Sequence, residues 1–457
     1  MATAYLSRTA TTPTNNKKQT ISMWVKRSNL APADDMGIIN FVNASSPTNS
    51  TFHIYFSNDV IGCFYKDPSV TRLNLFTTRK FRDTSAWYHI VFAIDTTQGT
   101  ASNRAKLYVN GVQETSFTTS DYPVQDTTFL DSGDTLQVGR YTATNGNNRY
   151  FDGQLAHVHF VDGTAYTPST FGETDSTTGI WVPKPSPTVT YGANGFFLKF
   201  DNSANMGLDS AGSNNLTTSG TIIQNKDTPS NNFAKLNFND IAETTDITLA
   251  NTGTTTMQTA NVGDHGLRST LAATTGKYYW EAKIATSNTL CILPMETRLV
   301  INLSDGSPVG DLYGVQRYSD STSNIYDDGT FVQNTSAMWG GITSSDIISF
   351  ALDLTNGKLF LAKNGAYKNQ SGATGDPVNG TNPTFTISDT TKTYTFYTEM
   401  RGNDDNGTLV NFGDGYFGTT AVSSAQNPDD GNGIFEYDPP TGYRAWTTKG
   451  INAQEYS

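Results

Sequence analysis

The sequence predicts an all-β chain of two antiparallel β-sandwiches, and three observations carry that expectation. Segments that alternate polar and apolar residues run nearly end to end through the 457 residues, punctuated by Gly, Asn, Asp and Pro. Two Asn-Gly dipeptides, Asn110-Gly111 and Asn364-Gly365, each follow a short apolar strand and mark hairpins, because both residue types tolerate positive φ. The acids agree: of 42 Asp and Glu only eight are Glu, and Asp favours turns where Glu favours helices. No helical apolar stripe exceeds about two turns.

The elements follow in order. Ile21, Met23 and Val25 share one face of a first clear strand over residues 20–26. Residues 87–94 are apolar on both faces, as suits an inner strand covered by two layers. Residues 106–109 lead into the first Asn-Gly turn, and strands over 136–141 and 151–161 come next. Residues 181–187, rich in Pro, cannot pair as a central strand, and residues 195–200 read as the closing strand of the first unit. In the second half Tyr278, Trp280, Ala282 and Ile284 fall on one face of a strand over 277–284. Residues 347–353 and 358–363 form the second hairpin. The expected division is a first sandwich over 1–205, a Ser-, Asn- and Gly-rich linker over 206–235, and a second sandwich over 236–457 with an irregular tail. Tail aromatics Phe435, Tyr437, Tyr443 and Trp446 imply that it packs against something. Trp24, Trp87, Trp280, Phe350 and Leu352 are the expected core, and Trp339 is placed with them.

Composition excludes several classes. Charged residues are 16% and aromatics 12%, too apolar a balance for general disorder. No apolar run approaches the ~20 residues that span a bilayer, so no membrane insertion is expected. A formal charge of −12 leaves no basic face for nucleic acid. Cys63 and Cys291 fall in different units and should stay unpaired. The opening Met-Ala-Thr-Ala-Tyr5 has no basic region followed by an apolar one, so synthesis in a host cytoplasm without a secretion signal is expected.

The residues also call up two families. Ile21-Ser-Met-Trp24, Trp87-Tyr-His-Ile-Val91, Leu107-Tyr-Val-Asn-Gly111, Leu136-Gln-Val-Gly139 and Phe151-Asp-Gly-Gln-Leu155 resemble a laminin G-like, concanavalin A-like jelly roll over about residues 1–200. Gly276-Lys-Tyr-Tyr-Trp-Glu281, Tyr313-Gly-Val315, Asp346-Ile-Ile-Ser-Phe-Ala-Leu-Asp353, Lys363-Asn-Gly365 and Val410-Asn-Phe-Gly413 resemble a SPRY (B30.2-type) domain. The stretch from Leu290 to Leu312 departs from that pattern and implies a longer loop. Together with Ala4-Tyr-Leu-Ser-Arg-Thr9 and Asp227-Thr-Pro-Ser-Asn-Asn-Phe233, the combination resembles structural proteins of tailed, marine-type bacteriophages. That resemblance implies a virion fibre, spike or decoration component with other virion proteins as partners and self-association into a homo-oligomer.

Chemistry is sparse. No Glu sits in a Glu-x-Asp-x-x-Glu arrangement, which would set two carboxylates on one strand face for glycoside hydrolysis. The pairs Asp34-Asp35, Asp327-Asp328, Asp404-Asp405 and Asp429-Asp430 lie in turn-like contexts. His157 and His159 share a strand face as read from the sequence, without a third metal ligand. His53, His89 and His265 look isolated, so no catalytic or metal residues are assigned. Asp131-Ser-Gly-Asp134 could hold a structural calcium, although an ordinary Asx turn is favoured and no cofactor is expected. The loop from Tyr141 to Tyr150 is the candidate contact for a host-surface glycan: Tyr141 and Tyr150 to stack, Arg149 to bond, and Asn147 and Asn148 to donate and accept. Tyr318, Tyr326, Asp327, Asp328 and Trp339 raise the same question in the second half. The expectation is a non-enzymatic phage virion surface protein that binds a host glycan or receptor. A carbohydrate-active enzyme and a lectin-like protein-binding adaptor outside any virion are the rivals.

Overall fold

A computed structural model describes residues 3–28, 30, 34–43, 51–67, 70–142, 147–176, 178–237, 239, 247–250, 255–259, 264–284, 288–295, 312–317, 323–335, 338–401 and 407–455. Tyr318, Asp404, Asp405 and most of the 290–312 stretch lie outside them. The chain divides into two compact units, 1–224 and 225–457. Each is a β-sandwich, antiparallel throughout its main ladders.

In the first unit, among the described residues, an eight-stranded sheet faces a six-stranded one. The larger runs Phe117–Asp121, Thr71–Thr77, Val60–Lys66, Thr51–Ser57, Met36–Val42, Thr135–Val138, Tyr5–Thr9 and Thr217–Ser219. The smaller runs Phe196–Leu198, Gly153–Asp162, Lys18–Arg27, Tyr88–Asp95, Ala105–Val109 and Val112–Gln113. Period-2 alternation sends Ile21, Met23 and Val25 inward with Ile90, Phe92 and Ile94, against Phe41, Phe52 and Ile54 of the facing sheet. Phe52 anchors this core, with ring centroids 5.1 Å from Phe41, 5.9 Å from Phe92 and 5.7 Å from Phe129.

Trp24 and Trp87 are buried, at 3% and 9% exposure, but not between the sheets. They lie on the opposite face of the six-stranded sheet, where Trp24 stacks on His89 at 4.7 Å. The strand over 87–94 is therefore covered on both faces, as its apolar run implies.

The segment expected as a linker is built into both units. Asp209 accepts from the amides of Phe197, Ala211 and Asn214, Leu216 is buried, and Thr217–Ser219 pairs with Tyr5–Thr9. Farther on, Phe233, Ala234 and Leu236 enter the buried clusters of the second unit. A Gly- and Asn-rich composition signalled turns correctly, but side chains of Asp and Leu within it still find partners.

The second unit pairs a sheet centred on Lys277–Ile284, Ile347–Asp353 and Lys358–Lys363 with one centred on Tyr394–Arg401, Asn288–Pro294 and Tyr313–Arg317. Trp280 is its hub: its ring lies 4.9 Å from Phe350, 4.9 Å from Trp446 and 5.8 Å from Phe396. Trp446, Tyr443 and Phe435 show that the tail packs into the unit, and Arg444–Ala445 adds to the first sheet in parallel. Trp339 is only partly buried against this core. The described residues end in a short helix, Thr448–Glu455.

Both hairpins turn alike. Asn110 and Gly111 have φ of 48° and 82°, and Asn364 and Gly365 have 51° and 80°, the type I′ pattern. In each, the Asn side chain accepts from the backbone of the strand paired with the one that leads into the turn: His89 N to Asn110 Oδ1 at 2.8 Å, and Ile347 N to Asn364 Oδ1 at 2.9 Å.

Trp280→Ala should destabilise the second unit by about 3–5 kcal/mol, because the cavity opens at the junction of three rings. Chemical denaturation should show a lower midpoint for that unit alone; an unchanged profile would contradict the hub role of Trp280.

Candidate functional site

The outward face of the eight-stranded sheet carries a row of residues that crosses every strand. Asp121, Asn74, Phe64, His53, Asn40, Gln137, Ser7 and Thr217 are successive cross-strand partners. From Asn74 to Gln137, each is flanked along its strand by core residues, such as Leu73 and Leu75 around Asn74, and Ser7 follows the core residue Leu6, so the row points away from the core. Within it Asn40 Nδ2 donates to Gln137 Oε1 at 3.1 Å, and Thr51 Oγ1 donates to Asn40 Oδ1 at 2.9 Å. These amides are buried and bonded, which fixes the middle of the row.

A short hairpin, Arg140–Thr142 with Asn148–Tyr150, lies over this face. Its approach requires glycine at position 37: a Cβ there would collide with the amide of Tyr141 and the carbonyl of Arg149. Residues 143–146 at its tip lie outside the described residues.

The structure separates the five residues singled out from the sequence. Tyr141 is buried, its ring stacked on His53 at 4.3 Å and its hydroxyl donating to Asp35 at 2.9 Å. Burial pushes its phenol pKa up. Tyr141 therefore clamps the hairpin to the sheet and offers no stacking platform; alternation within a three-residue strand turned it inward. Arg149 is half-buried and ion-paired with Asp34. Tyr150 is half-exposed, Asn147 and Asn148 are exposed, and Asn148 Oδ1 accepts from Thr142 Oγ1 at 3.1 Å.

Two residues that sequence reasoning missed complete a surface with Tyr150. The Arg140 guanidinium lies 3.7 Å from the centre of the Tyr5 ring and 6.0 Å from that of Tyr150, whose rings are 6.3 Å apart. Arg140 Nε also donates to Gln137 Oε1 at 3.4 Å, which ties this stack to the polar row. Tyr5 and Arg140 are each partly exposed. The signal for Tyr5 was its position one residue before the core residue Leu6; nothing local in the sequence brings it to Arg140. Two phenol rings beside a guanidinium with spare donors, next to Ser7 and Asn148, can stack on a pyranose face and bond its hydroxyls.

The other chemistry-bearing residues are engaged structurally. Ser22 Oγ and His89 Nε2 lie 2.9 Å apart, a contact the sequence did not reveal. Trp181 Nε1 donates to His89 Nδ1 at 2.9 Å, and an indole N–H can only donate. Nδ1 must then be the acceptor, Nε2 carries the proton, and the imidazole donates to Ser22. That tautomer is the reverse of a general base for a serine nucleophile. Burial lowers His89 to about 3, with His157 a secondary cause, so it is neutral near neutral pH.

His157 and His159 do not form the matched pair read from the sequence. A bulge shifts the register between Ala156 and His159, and His157 sits at φ 47°. His159 Nδ1 contacts the Tyr191 hydroxyl at 2.8 Å while its ring stacks on Phe197 at 4.0 Å. Among the described residues no three His, Cys, Asp or Glu side chains cluster as a metal site. Asp134 accepts from Asp131 N at 2.8 Å and from Asn43 Nδ2 at 3.1 Å, and its own amide donates to Asp131 O at 3.2 Å.

In the second unit Glu281 is a carboxylate with the perturbed acidity of a catalytic acid. Burial pushes it up to about 7, partly offset by bonds from the Glu436 and Tyr437 amides, the Tyr279 hydroxyl and Asn411. It is fully buried, and the two amides reach it at 2.9 and 2.8 Å. Its role is to hold the tail. Tyr326 is likewise buried, its hydroxyl donating to Gln316, and Asp327 accepts from Gln370.

Glu281 binds its proton more tightly folded than unfolded. Its stabilising contribution is present below the ordinary value of 4.5 and is lost as pH rises through about 7. Across that window the second unit should lose up to about 3 kcal/mol from this group, and Glu281→Gln should remove that slope. Denaturant titrations of both proteins at stepped pH would check it; parallel slopes would contradict it.

No curated protein sequence is significantly similar to the chain. A heptameric SAP-like pentraxin from Limulus polyphemus is 14% identical over 42% of this chain and 88% of its own, with a TM-score of 0.29. A putative carbohydrate binding protein from Bacteroides ovatus is 18% identical over 49% of this chain and 58% of its own, with a TM-score of 0.34. The SPRY domain of human HERC1 is 13% identical over 36% of this chain and 91% of its own, with a TM-score of 0.25. At the level of sequence families, residues 2–170 match the model of the concanavalin A-like lectin/glucanases superfamily.

Proposed function

We propose that the first unit binds a glycan on a host surface, without turning it over, as part of a tailed-phage particle. The observation that carries the binding reading is the stack of Tyr5, Arg140 and Tyr150 on the outward face of the eight-stranded sheet, joined through Gln137 to the transverse polar row. The family match of residues 2–170 supports a lectin-like use of this sandwich. The fixed tautomer of His89 and the engaged state of Glu281 support binding over catalysis. Membership of a virion, as fibre, spike or decoration, rests on the sequence resemblance, and so do its other partners: virion proteins and further copies of the chain.

Stacking is short-ranged and insensitive to ionic strength, whereas a chain of charge −12 offers little steering to acidic sugars. Affinity should therefore survive high salt. Replacing Tyr5 and Tyr150 together with Ala should weaken glycan binding and cell adsorption about tenfold or more, equivalent to at least about 1.4 kcal/mol. Tyr141→Phe should instead cost about 1 kcal/mol of stability, through the lost bond to Asp35, and leave affinity unchanged. Full adsorption by the double variant would remove this surface from the account. Hydrolysis of a host polysaccharide that depends on one carboxylate would defeat the non-enzymatic reading, and a gene neighbourhood without portal, capsid or tail genes would defeat the particle assignment.

A further inference from the structure

The second unit encloses a lysine between two carboxylates. Lys235 Nζ lies 3.5 Å from Asp227 Oδ2 and 3.5 Å from Asp414 Oδ2, and both aspartates are buried. The ammonium is shut off from solvent, and among the described residues no acceptor meets it with hydrogen-bond geometry. An ammonium has three donors to satisfy, and this one lies between two carboxylate oxygens. The arrangement is poor as a salt bridge. It suits a condensation, which removes one positive and one negative charge and leaves a single N–H.

All three residues are held in place by their backbones. Leu236 bridges to Ser269, and the amide and carbonyl of Lys235 bond Thr270 Oγ1 and Thr270 N. Asn411 Oδ1 accepts from both Gly413 N and Gly415 N, clamping the turn that presents Asp414. Phe233 and Phe435 pack against Gly413 beside it, an apolar surround that keeps bulk water from the pair. Asp227 comes from the Asp227-Thr-Pro-Ser-Asn-Asn-Phe233 segment, whose turn is closed by a Thr228–Asn231 bridge.

We propose that Lys235 and Asp414 condense into an intramolecular isopeptide bond, with Asp227 as the proton carrier. The Lys235 amine attacks Cγ of the protonated Asp414 carboxyl. Asp227 takes a proton from nitrogen and returns it to the leaving hydroxyl, a C–N bond replaces a C–O bond, and one water departs. No oxidant or reductant takes part, and Asp227 ends as it began. Preorganised contact between amine and carboxyl replaces the activation that a free condensation would need. The bond would tie the entry segment of the second unit to the turn at 413–415.

Mass spectrometry of the full chain, denatured and digested with trypsin, tests this. The expected result is a branched peptide joining Lys235 to Asp414, one water lighter than its two parts, with no cleavage after Lys235. Lys235→Arg and Asp414→Ala should each restore the unbranched mass, and Asp414→Asn should couple with loss of ammonia in place of water. Asp227→Ala should leave most of the chain unlinked. Linear peptides of full mass from the unmutated chain would overturn the proposal, a reading that needs no variant to fold. A branch to Asp227 would overturn the assignment of acceptor and carrier.

Discussion

Alternate residues of a strand face opposite sides of its sheet, and that constraint underlies both the stability and the proposed chemistry of the first unit. In the eight-stranded sheet, Leu73, Cys63, Phe52, Phe41, Leu136 and Leu6 point into the core. Their neighbours Asn74, Phe64, His53, Asn40, Gln137 and Ser7 must then point out, and registry aligns them into one row. A one-residue slip in any strand would exchange core and row at that position. The hydrophobic core therefore sets the registry of the outward surface, and the hairpin with Tyr141 and Tyr150 is seated against a face whose pattern the core fixes.

Burial elsewhere turns reactive residue types into structural ones. Covering the second face of the six-stranded sheet brings Trp181 onto His89, and the donor-only indole then fixes which imidazole nitrogen holds the proton. Desolvation lowers His53 to about 3 and His157 to about 4, so these rings behave as neutral aromatic spacers. Glu281 illustrates the opposite sign, since burial raises a carboxylate, yet two backbone amides keep it occupied as the anchor of the tail. Perturbed acidity marks sites only when a substrate can reach the group.

Much of the fold was legible because it rests on local rules. Alternation located the strands, and the two Asn-Gly turns located hairpins that share the same φ signs and the same side-chain bond to the neighbouring strand. Trp280, Phe350 and Leu352 lie in the core as their strand positions implied. What failed was whatever depends on distance in sequence. The second layer over the six-stranded sheet was legible in the apolar run over 87–94, but nothing local announced that Trp181 reaches His89 within it. Tyr141 points inward although its loop reads as soluble, and the stack of Tyr5 on Arg140 joins residues far apart in the chain. Ser22 and His89 meet across adjacent strands, as Trp24 and His89 do, and pairing of this kind is written in registry instead of in either segment. The division between the units, after residue 224, falls inside the expected linker, but its turn-rich composition describes backbone preference and did not announce that Asp209 and Leu216 become buried.

The most direct test of the account is a crystal structure of the full chain with a bound neutral oligosaccharide. The account predicts a sugar ring against Tyr5 and Tyr150, its hydroxyls bonded to Arg140, with the outward row of the eight-stranded sheet beneath it. A sugar lodged on another face of either unit, with the Tyr5–Arg140–Tyr150 stack bare, would contradict it.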